Sequence, residues 1–323
     1  AWTEADGLVK PSRAAREALA SHHLQQRSFS PTALQHFAAC PYRFLLSAIM
    51  RLSPLEVPEP PEEMDPLLRG SLVHEVQFLL YRRLQDDGLL PVTGANLEEV
   101  YRHLEQVLAE VTARYHDEVA PAIERVWQDG VAAIRADLRE WLRLESEEAG
   151  TGWVPWRFEF SFGLTGERAR DLVDPSSTPE PARLDCGIQL RGKIDLVERK
   201  AGGQLRATDH KTGKVWVHKD AVIEGGKALQ PVLYGLALQK LVQGDVSSGR
   251  LYYCTTVGGF SDREVPIDEE ALEAGRVLGA AIGEAFERGF LPTAPAEGAC
   301  TFCDYQLVCG PHEEYRTGRK PQQ

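Results

Sequence analysis

"RGKIDLVERKAGGQLRATDHKTGK", residues 191–214, decides the fold. From Leu184 to Leu196 the even positions read Leu184, Cys186, Ile188, Leu190, Gly192, Ile194 and Leu196, while the odd ones include Asp185, Arg191, Lys193 and Asp195. That alternation predicts a strand with one buried face. Gly202-Gly203 marks a hairpin turn, because glycine takes positive φ without steric cost. A two-residue loop would pair Ala201 with Gln204 and set Asp195 opposite His210, one residue from Asp209. Cross-strand neighbours at that range hold Cβ atoms roughly 5–8 Å apart. Asp209 and Lys211, two apart on a strand, project to one side. Two carboxylates and an ammonium therefore converge. Carboxylates so close repel unless a proton or cation lies between them. Magnesium takes one or two carboxylates plus waters and phosphate oxygens, and a lysine beside it can activate a water and steady phosphate charge. The spacing alone also suits a solvated hairpin with incidental charges.

Two further stretches place polar residues at helical spacing. In "GSLVHEVQ" (70–77), Leu72 and Val76 continue with Leu79 or Leu80 as an apolar stripe. His74 lies about 200° around from Leu72, off that stripe, where a lone histidine reads as exposed. In "QPVLYGLALQ" (230–239), Pro231 suits a helix start, and Gln230 and Tyr234 stand four apart, the spacing of a surface pair.

Together and in this chain order, these stretches resemble the PD-(D/E)XK nuclease superfamily in its RecB-like branch. The resemblance implies Asp195 of "GKIDLVE" as the first metal-binding aspartate, Asp209 of "DHK" as the second and Lys211 as the catalytic lysine. It implies His74, in a G-x-x-x-H motif, as a further metal ligand, with the carbonyl of His210 as another. Gln230 and Tyr234, in a Q-x-x-x-Y helix, would orient Lys211 or the substrate strand. Glu159, in "WRFEFSFGL" (156–164), alternates with Phe158 and Phe160 and reads as an ordinary strand residue rather than an auxiliary acid.

Six cysteines occur. Cys300, Cys303 and Cys309 form C-x2-C-x5-C, and Cys40 precedes Cys300 by 260 positions. Three clustered thiolates suit zinc or an iron–sulfur cluster, and spacing favours neither. The remote Cys40, in "CPYRF", with the distal set resembles the 4Fe–4S staple of AddB-type helicase–nucleases, an arrangement CRISPR-associated iron–sulfur exonucleases share in general form. The resemblance implies one cluster on Cys40, Cys300, Cys303 and Cys309. Cys186 and Cys254 read as core thiols. A secreted disulfide framework does not suit a chain of this size.

The chain has 323 residues, 43% of them hydrophobic, enough for a core in one large or two small domains. No run of 18 apolar residues occurs, so no membrane span is expected. Lys and Arg number 36 against 48 Asp and Glu, a net charge of −12. This weighs against a broad DNA-binding face, since Lys and Arg drive phosphate binding. DNA contact is expected in a groove, or with a partner delivering the strand. Part of the excess is local, in the linker "EVPEPPEEMD" (56–65). No GxxxxGK(S/T) occurs, so any motor lies on another domain or chain.

Helices are expected over 31–50, 66–88, roughly 95–148 with breaks near 88–94 and 121, 228–243 and 267–288. A strand is expected near 250–257 after the hairpin, and a loop over 171–182. The expected fold is α/β, a restriction-endonuclease-like mixed sheet flanked by helices, with added N-terminal helices and an iron–sulfur staple joining the two ends. Residues 28–310 would form the nuclease domain. Residues 1–27 read as an extension or remnant of a longer chain without a core of its own, and 311–323 as a tail. The expected activity is a Mg2+- or Mn2+-dependent deoxyribonuclease, an exonuclease of DNA repair or recombination in the bacterial cytoplasm. Its expected partners are DNA and a helicase subunit or domain. Other readings are a stand-alone iron–sulfur single-strand exonuclease, a catalytically silent DNA-binding module, or a structural metal-binding protein with an accidental hairpin. The intact Asp195, Asp209 and Lys211 argue against the silent module.

Overall fold

The hairpin forms, with its register shifted by one. Leu196 pairs with Thr208, Glu198 with Arg206 and Arg199 with Leu205. Lys200 N–H donates to the Gln204 carbonyl at 2.9 Å, and Gly203 N–H to the Lys200 carbonyl at 2.9 Å. The loop is thus Ala201–Gly203, three residues, with Gly203 at φ +86° in the left-handed position such loops require. Ala201 does not pair with Gln204. The same register carried one step further sets Asp195 level with Asp209 rather than His210.

The computed structural model describes residues 2–3, 6–8, 12–53, 63–165, 172–215, 226, 228–242, 244–301 and 303–320. Most of the acidic linker, 56–62, lies outside them. The helices are α1 (Arg13–Ala20), α2 (Pro31–Ala39), α3 (Pro41–Phe44), α4 (Pro66–Asp86), α5 (Leu97–Val119), α6 (Glu124–Glu148), α7 (Leu229–Leu241), α8 (Glu269–Arg288), α9 (Gln306–Cys309) and α10 (Glu313–Thr317). The strands are β1 (Val154–Phe162), β2 (Ala182–Arg183), β3 (Gln189–Leu190), β4 (Gly192–Arg199), β5 (Gln204–Lys211), β6 (Asp245–Tyr253) and β7 (Asp262–Pro266). The predicted 31–50 helix is broken at Cys40, which is extended (φ −168°, ψ 117°) ahead of Pro41. Proline disfavours helical backbone in the residue before it, which accounts for the break. The predicted 250–257 strand begins earlier, at Asp245, and ends at Tyr253.

Five strands form a mixed sheet in the order β1-β4-β5-β6-β7. Only β5 and β6 pair in parallel, joined by the α7 crossover; the other neighbours are antiparallel. A Cβ on Gly249 of β6 would sit 1.9 Å from the Pro231 carbonyl oxygen, so a bare glycine lets α7 lie directly on the sheet. One apolar cluster joins Val232 and Leu236 of α7 and Ile282 of α8 to Phe160, Ile194 and Val197. The other joins Leu72 and Val76 of α4, Leu104 of α5 and Trp141 of α6 to Phe158 and Leu196. The sheet is covered on both faces, as buried parallel pairing demands. Leu19 and Leu24 are buried in the first cluster, so the N-terminal residues add to this core.

The two clusters reveal a break in alternation. Phe158 pairs with Leu196 and Phe160 with Ile194, yet the first pair packs under α4 and the second under α7. Regular strands would send positions two apart to one face. Both strands switch faces between these pairs, at Glu159 and Asp195, and Glu159 takes φ +53°. Left-handed backbone in a non-glycine residue persists only where its surroundings impose it, and it concentrates at functional sites.

Candidate active site

Asp65 opens α4 by accepting the Leu67 and Leu68 N–H groups, each at 2.9 Å, and Pro66 fills the first helical position. The helix then buries Leu72, Val73 and Val76 and leaves His74 partly open at the strand ends. Its Nδ1 lies 3.5 Å from Asp195 Oδ2 and 3.7 Å from Glu159 Oε1. The ligand atoms of His74, Glu159 and Asp195 fall within 4.8 Å of one another, the one such group of three among the described residues. Glu159 is 4% exposed, and Lys193 Nζ reaches its Oε2 at 2.6 Å. The acid expected to be an ordinary strand residue thus belongs to the site, and Lys193, on the face expected to be solvated, is its counter-ion.

Asp209 and Lys211 lie on the adjoining strand. Lys211 Nζ stands 2.6 Å from Asp209 Oδ2, and Gln230 Nε2 donates to Asp209 Oδ1 at 3.2 Å. Gln230 therefore steadies the aspartate rather than the lysine. Tyr234 sits against Gly192, where a Cβ would come within 2.9 Å of its ring, and receives the Lys193 backbone N–H at its hydroxyl. It braces the start of β4. The His210 ring turns away, edge-on to Trp141 and tilted on Tyr252 with centroids 5.9 Å apart in both cases. Burial, His74 and Arg250 push its pKa down to about 3, so the ring stays neutral. Its backbone N–H donates to Asp195 Oδ2 at 2.7 Å. The Lys211 carbonyl accepts from Cys254 N–H toward β6. Peptide groups of successive strand residues face opposite neighbours, so the His210 carbonyl is turned toward Asp195.

Electrostatics fit a cation site. Burial raises the Asp195 pKa; His74 lowers it, Asp209 and Glu159 raise it again and Lys211 opposes them, leaving it at about 7. Burial alone would lower His74, but Asp195 and Glu159 lift it to about 9. Lys211 is held above its ordinary value, Asp209 outweighing burial. The chain's own cations, the His74 proton and the Lys193 and Lys211 ammonium groups, thus balance three carboxylates. A divalent ion bound among His74, Glu159 and Asp195 would take over that role, with imidazole deprotonated. The residues fit such an ion: oxygen ligands with one imidazole, at the wall of a cavity of about 430 Å³ that Lys193, Phe78 and Tyr115 also line. Replacing Glu159 by Gln should weaken Mn2+ binding by about tenfold or more in calorimetry. Unchanged affinity would place the ion away from β1.

The cysteines stand differently. Cys40 Sγ lies 3.9 Å from the Pro292 carbonyl oxygen, and Arg43 reaches Asp304 at 3.4 Å, so both chain ends meet here. Burial, Cys40, Glu313, Cys303 and Cys300 push Cys309 up to about 12. The four thiols are therefore neighbours, but among the described residues no three of their sulfurs gather within 4.8 Å. Cys254 is fully buried, whereas Cys186 is only half-buried beside Gly275.

A mixed sheet that brings acids, a histidine and a lysine to one cavity defines a phosphodiesterase of the metal-dependent nuclease class. The chain matches the family model of the PD-(D/E)XK nuclease superfamily over residues 28–310, and it belongs to that superfamily. No curated protein matches it. Among the described residues no helix is long and apolar enough to cross a membrane.

Proposed function

We propose that this chain is a deoxyribonuclease of the RecB-like branch, acting as an exonuclease in DNA repair or recombination with a helicase chain or domain. One observation carries the nuclease reading: His74, Glu159 and Asp195 come from α4, β1 and β4 to line one cavity, and the Asp209–Lys211 pair of β5 stands beside Asp195. His74, Glu159, Asp195 and Asp209, with the His210 carbonyl, would hold Mg2+ or Mn2+. The bound ion would polarise the scissile phosphate and acidify a water. Lys211 orients that water and offers charge to the phosphate, while Asp209, held by Gln230, fixes the ammonium in place. Tyr234 keeps β4, and with it Asp195, at its height. The net charge of −12 and the lack of a P-loop motif in this sequence support a motor supplied by another chain or domain, and the compartment proposed for the pair is the bacterial cytoplasm. End-labelled single- and double-stranded DNA incubated with Mg2+, with Mn2+ and with EDTA tests this. Metal-dependent release of short products from one end supports it; no cleavage with either metal sinks it.

The same reading includes a 4Fe–4S cluster on Cys40, Cys300, Cys303 and Cys309. The supporting observation is proximity: burial first, and then the neighbouring cysteines, raise the pKa of Cys40, Cys300 and Cys309, which a bound metal would counter. A single zinc with bonds of about 2.3 Å would draw its sulfurs to roughly 3.8 Å apart, whereas a four-iron cluster stands between ligands set wider. Protein purified without air should be brown, and Cys40→Ala colourless and poorly soluble. Colourless wild type with one zinc per chain would replace the cluster by zinc.

A further inference from the structure

A second cavity, of about 570 Å³, opens beside α2 and is lined by Arg27, Arg51 and Arg191 together with Phe29, Ser30 and His36. In a chain with twelve more acids than bases, no carboxylate is among its lining residues. Arg27 is fixed: it lies over the Phe29 ring at 5.0 Å, donates to the Ala48 carbonyl at 3.0 Å and packs against His22 Nδ1. Burial lowers its pKa, and Arg51 and Arg191 lower it further, so both of those guanidinium groups repel that of Arg27. His22 is pushed down by burial, Arg27 and Arg51. Holding like charges together costs free energy that an anion would recover. Ser30 and Thr32, at the N-terminal end of nine-residue α2, line the same wall, adding the helix's partial positive charge.

The cavity is also placed for a strand. Arg191 precedes β4, and two residues later Lys193 lines the His74–Asp195 cavity. Residues two apart on extended backbone lie about 6.6 Å apart and point the same way. Residues 191–193 thus reach both cavities, one rich in guanidinium groups and the other lined by the candidate metal ligands.

We propose that the Arg27–Arg51–Arg191 cavity is a phosphate-binding subsite for the nucleic-acid strand whose scissile bond lies against Asp195, an inference that rests on the nuclease reading. It gives a strongly acidic chain a confined place to grip a polyanion. Two sources share this chemistry, an internal phosphodiester and a 5′-terminal phosphate, and one experiment separates them.

Fluorescence anisotropy of the full chain in EDTA, at several KCl concentrations, would use one single-stranded oligonucleotide with a 5′ hydroxyl and the same strand with a 5′ phosphate. Arg51 is exposed and can be changed without disturbing the core. Arg51→Glu should weaken binding and reduce the slope of log affinity against log salt by about one, while Arg51→Lys keeps the wild-type slope. Equal weakening of both strands assigns an internal phosphate; weakening confined to the phosphorylated strand assigns its 5′ end. Identical affinity and slope for wild type and Arg51→Glu would overturn the subsite. Wild-type cleavage of the same strands with Mn2+ is scored separately, and its absence would sink the nuclease reading instead.

Discussion

Asp209→Asn and Lys211→Met should each lower phosphodiester cleavage by about a hundredfold or more, with secondary structure and melting temperature nearly retained. A positioned general acid–base group contributes roughly 10²–10⁴-fold, and a charged group aimed at developing phosphate charge a similar factor. Both side chains stand on a preformed hairpin, so the loss is chemical. Asn keeps the shape of Asp209 and can still accept from Gln230, but it no longer holds the Lys211 ammonium 2.6 Å away. Met keeps the length of Lys211 without its charge, and a third of that side chain is open to solvent, so folding loses little. Gel assays of end-labelled DNA with Mn2+, beside circular dichroism melts, check both arms. Near wild-type rates from either variant would remove the (D/E)-X-K assignment.

The parts of this site that are legible in the sequence follow regular geometry, and the parts that are not depend on departures from it. Asp209 and Lys211 are two apart on an unbroken strand, so their spacing alone gives their common side. Asp195 is legible as a residue off the buried face. Its partner in height is not, because the three-residue loop ending in Gly203 shifts the register by one. Glu159 misleads for a physical reason. Alternation assigns Phe158 and Phe160 to one face, but the left-handed turn at Glu159 sends them to opposite clusters and directs the acid toward His74. A lone acid inside an aromatic strand beside an aspartate-bearing one is the signal that could have found it. Lys193 carries no motif at all and enters only through its 2.6 Å contact with Glu159. His210 sits in the DHK motif, yet its ring serves the packing under Trp141 while its peptide serves the site.

Glu198→Ala should cost about 3–5 kcal/mol, the usual range when one partner of a buried ion pair is removed, and should lower the melting temperature by roughly 5–10 °C. Its carboxylate is 4% exposed and accepts from Arg206 at 2.7 and 2.8 Å, from Arg250 at 3.1 Å and from the Thr208 hydroxyl at 2.6 Å. Both guanidinium groups are 3% exposed, and without Glu198 their carboxylate partners are the outer Glu148 and Glu264, beside the Thr208 hydroxyl that accepts from Arg250 at 3.1 Å. Burial would raise the Glu198 pKa, but Arg250 and Arg206 hold it down at about 2, against an ordinary 4.5. A carboxyl depressed on folding contributes stability that is complete above its unfolded pKa and lost as pH falls through the folded one. The gap between wild type and Glu198→Ala should therefore be widest above pH 4.5 and shrink toward pH 2. Melts at pH 6 and pH 3 test this, and equal melting temperatures at pH 6 would refute it. The network also bears on catalysis. Glu198 lies three residues from Asp195 and Arg206 three from Asp209, on the two strands whose register sets those aspartates level. A slip of one residue would turn every side chain to the other face, and it would also separate Glu198 from Arg206. The buried ion network thus holds the register that assembles the metal site, so Glu198→Ala should lose cleavage even at temperatures where it remains folded.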